Sequence, residues 1–475
     1  MFTFLRKLFG GKKKDRESPR PPEIADDVNG RAENAPPQAR ADEANPSAFI
    51  CREALLGRDQ KIIGYEFSHP QHLRSRFMDK RARVHRYYDD VLLRHLSELN
   101  LDAFLGARLA FIGISPASLL HPALLRLPRK NLTLSLNFVE ILENHEAHAI
   151  SEIIGALRTL RESGLRIGLK WRQQEEDLSA FLPYADFIQI AWQSDADRVS
   201  GKLAQQVADI RQAFHAGEAS SAAHPLRLIV SDLKTPEEFR FCYRLGFDFF
   251  RGPFIDRRES DKVHKGAIDR LRVMQLLNSV RQDAETKLLT RELRQDPVLS
   301  YRLLRYANSP ALGLTYRIGN LDQALTVLGR SNLYRWLSFL LFNVADPGYY
   351  EWALTEQALA RAALMERLGK KAELTGVAQD ALFLTGLFSL LDRLMGAPLS
   401  ELTEKIQIPE EVRVALVRRE GILARFLALA KACERMNPEQ IAQHAEALGL
   451  SAQTVNLAVF DALAWANEMT EISAD

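Results

Sequence analysis

The chain of 475 residues sets 63 Lys and Arg against 61 Asp and Glu, a formal net charge of +2, with 46% hydrophobic and 26% charged residues. That balance excludes wholesale disorder and fibrous classes and gives no global attraction to a polyanion. Cys51, Cys242 and Cys433 lie so far apart that neither a disulfide framework nor a cysteine-based zinc site is available. The longest apolar stretch, near 336–345, is broken by Ser338 and Asn343 and is about half a membrane span. No apolar core followed by a small-residue cleavage site opens the chain, so it reads as a reduced, cytoplasmic, multidomain protein.

In chain order, residues 1–46 form a basic amphipathic terminus and a linker expected to be disordered. Phe2, Leu5, Leu8 and Phe9 share a helical face, flanked by Arg6, Lys7, Lys12, Lys13 and Lys14. Such a face can contact an anionic membrane surface through residues 1–14, or it can be a solvated terminus. Five prolines between 21 and 46 with scattered acids and few large apolar groups make a flexible tether.

From residue 47 to 256, short β-branched or apolar runs alternate with helical periods. Strands are expected at 49–55, 62–67, 108–114, 132–136, 166–169, 187–191, 227–230 and 249–251. Helices are expected at 84–99, 149–163, 198–214 and 236–245, which together fit a (β/α) barrel better than an open sheet. From 266 to 475 the pattern is helical throughout. Asp296 suits an N-cap with Pro297 at the first helical position, and Asn308-Ser309-Pro310 ends that helix. Asn320 and Gln323 resemble a capping box, and Gly329 suits the left-handed position that ends the following helix.

Three stretches carry a resemblance. Arg58 to Phe67 (RDQKIIGYEF) looks like the opening of an EAL-type domain, whose active members hydrolyse cyclic di-GMP. Asp296 to Leu337, with its NSP and LG spacing through Asn308, Ser309, Pro310 and Gly313, resembles an HDOD domain, and 381–392 resembles the family in which a degenerate EAL domain precedes HDOD. The implied fold is α/β plus all-α, a degenerate EAL-type barrel (47–256) followed by an all-helical HDOD bundle (266–475).

The literal Glu53-Ala54-Leu55 is a decoy under this resemblance; the signature glutamate corresponds to Glu66. Hydrolysis by two metals needs several oxygen ligands at the barrel strand ends. The family's next ligand positions carry Gly113, Ser135, Lys170-Trp171, Gln189, Ala191, Ser231, Lys234 and Arg251, so the strand ends lack carboxylates. The Arg that grips nucleotide phosphates in the family corresponds to Pro70, with Arg74 and Arg76 nearby, and retained cyclic di-GMP binding is not expected. Metal-dependent HD relatives need a His-Asp pair, yet no histidine occurs between His264 and His444, and Asp392 stands alone. His69, His72, His85 and His95 lack a recognised ligand spacing.

These readings lead to no catalytic residue, no metal and no cofactor. The expected function is non-enzymatic bacterial signal transduction through an unidentified protein partner, within cyclic di-GMP-linked control of motility or biofilm as the resemblance implies. The alternatives are an active or nucleotide-binding cyclic di-GMP phosphodiesterase and a nucleic-acid-binding regulator using the arginine-rich helices, neither favoured. The interaction candidates are the Asn308-Ser309-Pro310 turn with Gly313 and Gly329, and the neighbouring Arg305 and Arg317.

Overall fold

The computed structural model describes residues 49–68, 82–98, 101, 108–137, 147–171, 180–193, 201–216, 225–257, 270–308, 316–342, 348–374 and 376–474. The expectations placed on residues 1–14, His69, Pro70, His72, Arg74, Arg76, Ser309, Pro310 and Gly313 fall outside these residues, as does the side chain of His85.

Among the described residues, eight strands close a barrel in sequence order: β1 (Cys51–Gly57), β2 (Ile62–Ser68), β3 (Leu109–Ile114), β4 (Leu132–Asn137), β5 (Arg166–Trp171), β6 (Phe187–Ala191), β7 (Arg227–Ser231) and β8 (Phe249–Phe250). Strands β2 to β8 run parallel, joined in part by α1 (Ala82–Glu98), α2 (Ala147–Glu162), α3 (Lys202–Ala216) and α4 (Pro236–Arg244). Strand β1 is antiparallel to both β2 and β8. The four residues 58–61 can make only a tight turn, because a parallel crossover needs a dozen or more. The turn is closed by Gly57 and Lys61, with Gln60 at φ 61°. Side chains alternate along each strand, and Leu55, Phe111, Phe187, Ile229 and Phe249 meet as an apolar plug inside the barrel.

The helices continue as α5 (Arg270–Arg281), α6 (Thr286–Arg294), α7 (Pro297–Ala307), α8 (Leu321–Leu340), α9 (Tyr349–Lys371), α10 (Gly376–Phe388), α11 (Leu391–Met395), α12 (Leu399–Lys405), α13 (Glu410–Arg413), α14 (Gly421–Glu434), α15 (Pro438–Glu446) and α16 (Ala452–Ala474). No single helix among the described residues is long and apolar enough to cross a membrane. The chain divides into two compact units that differ from a cut at 256–266. The first holds residues 266–345 and 401–408; the second joins 42–265 to 346–400 and 409–475.

Within the second unit, α9 and α16 cover the outer face of β2. Phe67 stacks on Phe460 with ring centroids 4.7 Å apart. The Tyr65 hydroxyl donates to Glu356 at 2.5 Å, and Arg108 binds the other Glu356 oxygen at 2.9 Å and Asn467 at 2.5 Å. Burial, reinforced by the Glu356 charge, pushes the Tyr65 phenol well above its ordinary range. A second internal pair joins Arg361 of α9 to Glu434 of α14, with Ser389 and Gln357 completing the polar set.

In the first unit, Asp296 caps α7 through the N–H groups of Val298 and Leu299. Asn320 accepts from Gln323 N–H, whereas the Gln323 side chain reaches Gly319 rather than the cap residue. Gly329 departs from its expected role. It has φ 69° and ψ 171°, a break inside α8 after which the helix resumes, not a left-handed terminus. Tyr306 stacks on Trp336 across α7 and α8 at 6.1 Å.

Candidate functional site

The end of the barrel where β2 to β8 terminate is where parallel barrels assemble their chemistry. Two residues along from the plug on each strand, the alternation that buries Leu55 and Phe249 puts Glu53 and Arg251 on the inner face, and Glu66 lies opposite Glu53 in the β1–β2 register. Lys170 lies two residues beyond Gly168 on β5, beside Gln189 of β6.

These four side chains form one electrostatic set. Lys170 Nζ pairs with Glu66 Oε1, Arg251 Nη1 pairs with Glu66 Oε2, and Arg251 Nε lies 3.2 Å from Glu53 Oε2. Glu66 and Arg251 are almost wholly buried, with side chains 6% and 4% exposed, while Glu53 remains 31% exposed. Burial pushes the Arg251 guanidinium down from its usual value, and the Glu53 charge opposes that shift. Two carboxylates and two cations cancel, which is how a buried charge set avoids the cost of an unpaired ion. Gly113 makes room for the pair. A Cβ there would stand 3.3 Å from Glu66 Oε1 and 3.7 Å from Lys170 Nζ.

Apart from Lys234, which is exposed, the remaining positions are neutral. Ser135 and Ser231 are buried, Gln189 is 8% exposed, and Ala191 and Trp171 carry no ionisable group. One carboxylate does stand just beyond a strand end: Asp232 follows β7 with φ 65°, is exposed, and accepts from the Ser231 hydroxyl at 3.1 Å. The expectation that the strand ends lack carboxylates altogether is corrected to that extent. Among the described residues, no group of three or more His, Cys, Asp or Glu could hold a metal ion. A pair of divalent cations does not fit this residue set, because both oxygens of Glu66 are already taken by an ammonium and a guanidinium.

The second candidate lies in the helical unit. Asn308 is the C-cap of α7 and works as a clasp. Its side-chain amide donates to Leu304 O at 2.8 Å and to Ile318 O at 2.9 Å, and its carbonyl oxygen accepts from Ile318 N–H at 2.7 Å. An Asn is suited to this because one amide both donates and accepts. The clasp ties the returning chain at Ile318 to the last turn of α7. Arg305 and Arg317 are exposed on either side of it, the first on that last turn and the second immediately before Ile318.

The sequence sets Glu53 aside as a decoy and reads Lys170 and Arg251 as lost ligands, with Lys170 also repelling cations, but does not pair them with Glu66 and Glu53. Their mutual pairing depends on closure of β1 against β8, for which local spacing carries no signal. The ionic sets Arg108–Glu356 and Arg361–Glu434 were missed for the same reason, their partners being 248 and 73 residues apart.

Residues 270–408 match the HDOD domain family. The chain is 24% identical over 435 residues to the cyclic di-GMP phosphodiesterase CdgJ of Vibrio cholerae, covering 90% of this chain and 94% of that protein. It is 22% identical over 402 residues to the uncharacterized protein YuxH of Bacillus subtilis, covering 82% and 91%. Among solved structures, the Bacillus subtilis YkuI protein, with an EAL domain and in complex with cyclic di-GMP and calcium, overlaps 59% of this chain and 72% of its own. That overlap has 15% identity and a TM-score of 0.34.

Proposed function

Because the chain joins a closed barrel resembling the EAL type to an HDOD domain, we propose that it is a non-enzymatic signalling protein that acts through protein–protein contacts, within cyclic di-GMP-linked control. The observation that carries this reading is the neutralised Glu66, held by Lys170 and Arg251 where a hydrolytic barrel would need carboxylates around metal. A cation entering there would have to displace two paired side chains and would then meet their positive charge. The proposed setting is cytoplasmic. Arg305 and Arg317, held on either side of the Asn308 clasp, are the proposed contact face in the helical unit, with the partner open.

The name of the Vibrio cholerae relative favours a second reading, retained phosphodiesterase activity. One experiment separates the two. The full chain with Mg²⁺ or Mn²⁺ is expected to convert no cyclic di-GMP to the linear dinucleotide above a no-protein control. Turnover that disappears on Glu66→Ala would establish the second reading and end the first.

A further inference from the structure

Residues 409–474 belong to the barrel-containing unit, and their least regular point is the junction between α13 and α14. A π-helical turn spans Val414–Arg418, and Arg419 then breaks it with φ 62° and ψ 36°. Single π turns inside helical segments are rare and recur at functional positions. The helix that follows buries Leu423, Phe426 and Leu427 and turns Ile422 and Arg425 outward.

Nine large hydrophobic residues stand exposed among the described residues, and two of them, Val417 at 37% and Ile422 at 45%, lie within six positions of each other here. Around them, Arg418, Arg419 and Arg425 are all exposed and make no ion pair or hydrogen bond among the described residues. Glu410 is hydrogen-bonded by Arg413, and the nearby Arg418 charge also helps hold its carboxyl below the ordinary range. The knuckle therefore offers two aliphatic side chains framed by three exposed guanidinium groups, between buried Val412 of α13 and the buried face of α14.

We propose that this knuckle, from Val417 to Arg425, is a docking surface for an acidic segment of a partner protein, one whose aliphatic side chains seat against Val417 and Ile422 while its carboxylates meet the three arginines. The inference rests on the non-enzymatic reading above and adds the chemistry of the partner. Charge complementarity selects an acidic occupant, since guanidinium forks pair with carboxylates in a fixed geometry. A nucleic acid is disfavoured: no aromatic residue lies between Val417 and Arg425 to stack a base. Two aliphatic side chains are too small an apolar face to hold a membrane surface. A knuckle already fixed in place loses little freedom on binding.

The test uses the full chain and a short fluorescent synthetic peptide rich in Asp and Glu with two leucines one helical turn apart. Wild type is expected to bind it in a salt-sensitive manner. Arg418→Glu with Arg419→Glu should weaken binding at least about tenfold, Arg425→Glu should weaken it independently, and Val417→Ser with Ile422→Ser should weaken it about fivefold with the salt dependence retained. All variants should melt with wild type, because every altered residue is exposed. No binding by wild type, or equal binding by the charge-reversed variant, overturns the proposal. Equal binding of a leucine-free acidic peptide or of a single-stranded oligonucleotide through the same arginines overturns the assigned partner class. Turnover of cyclic di-GMP by the same preparation would defeat the non-enzymatic reading and leave the peptide result to be judged separately.

Discussion

Replacing Asn308 with Ala removes three side-chain hydrogen bonds at once: two donated, to Leu304 O and Ile318 O, and one accepted from Ile318 N–H. Each such bond contributes about 0.5–1.5 kcal/mol net. Leu304 O keeps the backbone N–H of residue 308 at 3.0 Å, and the half-buried position lets water recover part of the loss. The expected cost is therefore about 2 kcal/mol, or about thirtyfold in the population of the opened segment. Because a chain of two compact units need not melt in one step, the assay should be local. Hydrogen exchange of peptides within 297–308 and 316–340 should accelerate, while peptides from the barrel strands stay unchanged. Asn308→Asp is the sharper control. It keeps an acceptor for Ile318 N–H but turns a carboxylate toward two carbonyl oxygens, so it should be at least as damaging at neutral pH. Unchanged exchange in both peptides, with partner capture lost, would refute the clasp and make Asn308 a contact residue.

Arg251→Leu should destabilise the barrel by about 3–5 kcal/mol in urea denaturation, since it strips Glu66 of one buried partner and Glu53 of one ion pair. Adding Glu66→Gln should recover much of that loss; strictly additive losses would mean the two groups are not paired. Burial alone would raise the Glu434 carboxyl, but the Arg361 charge and hydrogen bonds, with Arg52 and Gln357, outweigh it and hold the group below the ordinary carboxylate range. A depressed acid stabilises the fold above its unfolded pKa, about 4.3, and that contribution fades as pH falls through the lower native value. Glu434→Gln should therefore be less stable than wild type at pH 7, with the gap closing below about pH 4; a gap that widens on acidification would contradict the assignment.

The strands of the barrel were legible because each is a short apolar run bounded by polar turns, and all eight expected runs correspond to strands. The reversed direction of β1 was implicit in four residues, 58–61, too few for any crossover. Asp296 and Asn320 were readable as caps because capping is local chemistry. What could not be read was partnership at a distance. Helix α9 is buried on nearly every side, from Tyr349 through Leu368, so it has no polar stripe to show which surface it packs against. Helical period places it in the HDOD region, which the family match over 270–408 includes, and the bond from Tyr65 to Glu356 also joins it to β2. At the barrel end, residue types alone suggested vacated ligand positions. That the replacements neutralise one another follows only from register and closure.

The covering of β2 by α16 also has a bearing on how the protein is made. Phe67 and its stacking partner Phe460 are separated by about 390 residues of chain. At the usual pace of roughly 5–20 residues per second, the ribosome delivers the second ring about 20–80 s after the first. Throughout that interval Phe67 on the outer face of β2 has emerged without α16, although Tyr65 gains its α9 partner Glu356 sooner. Nascent chains of this protein thus carry a sticky strand for most of their synthesis, and chaperone demand should peak before release. A stop codon anywhere short of α16 leaves Phe67 without Phe460, so truncated products should be cleared by proteolysis rather than accumulate as free barrels.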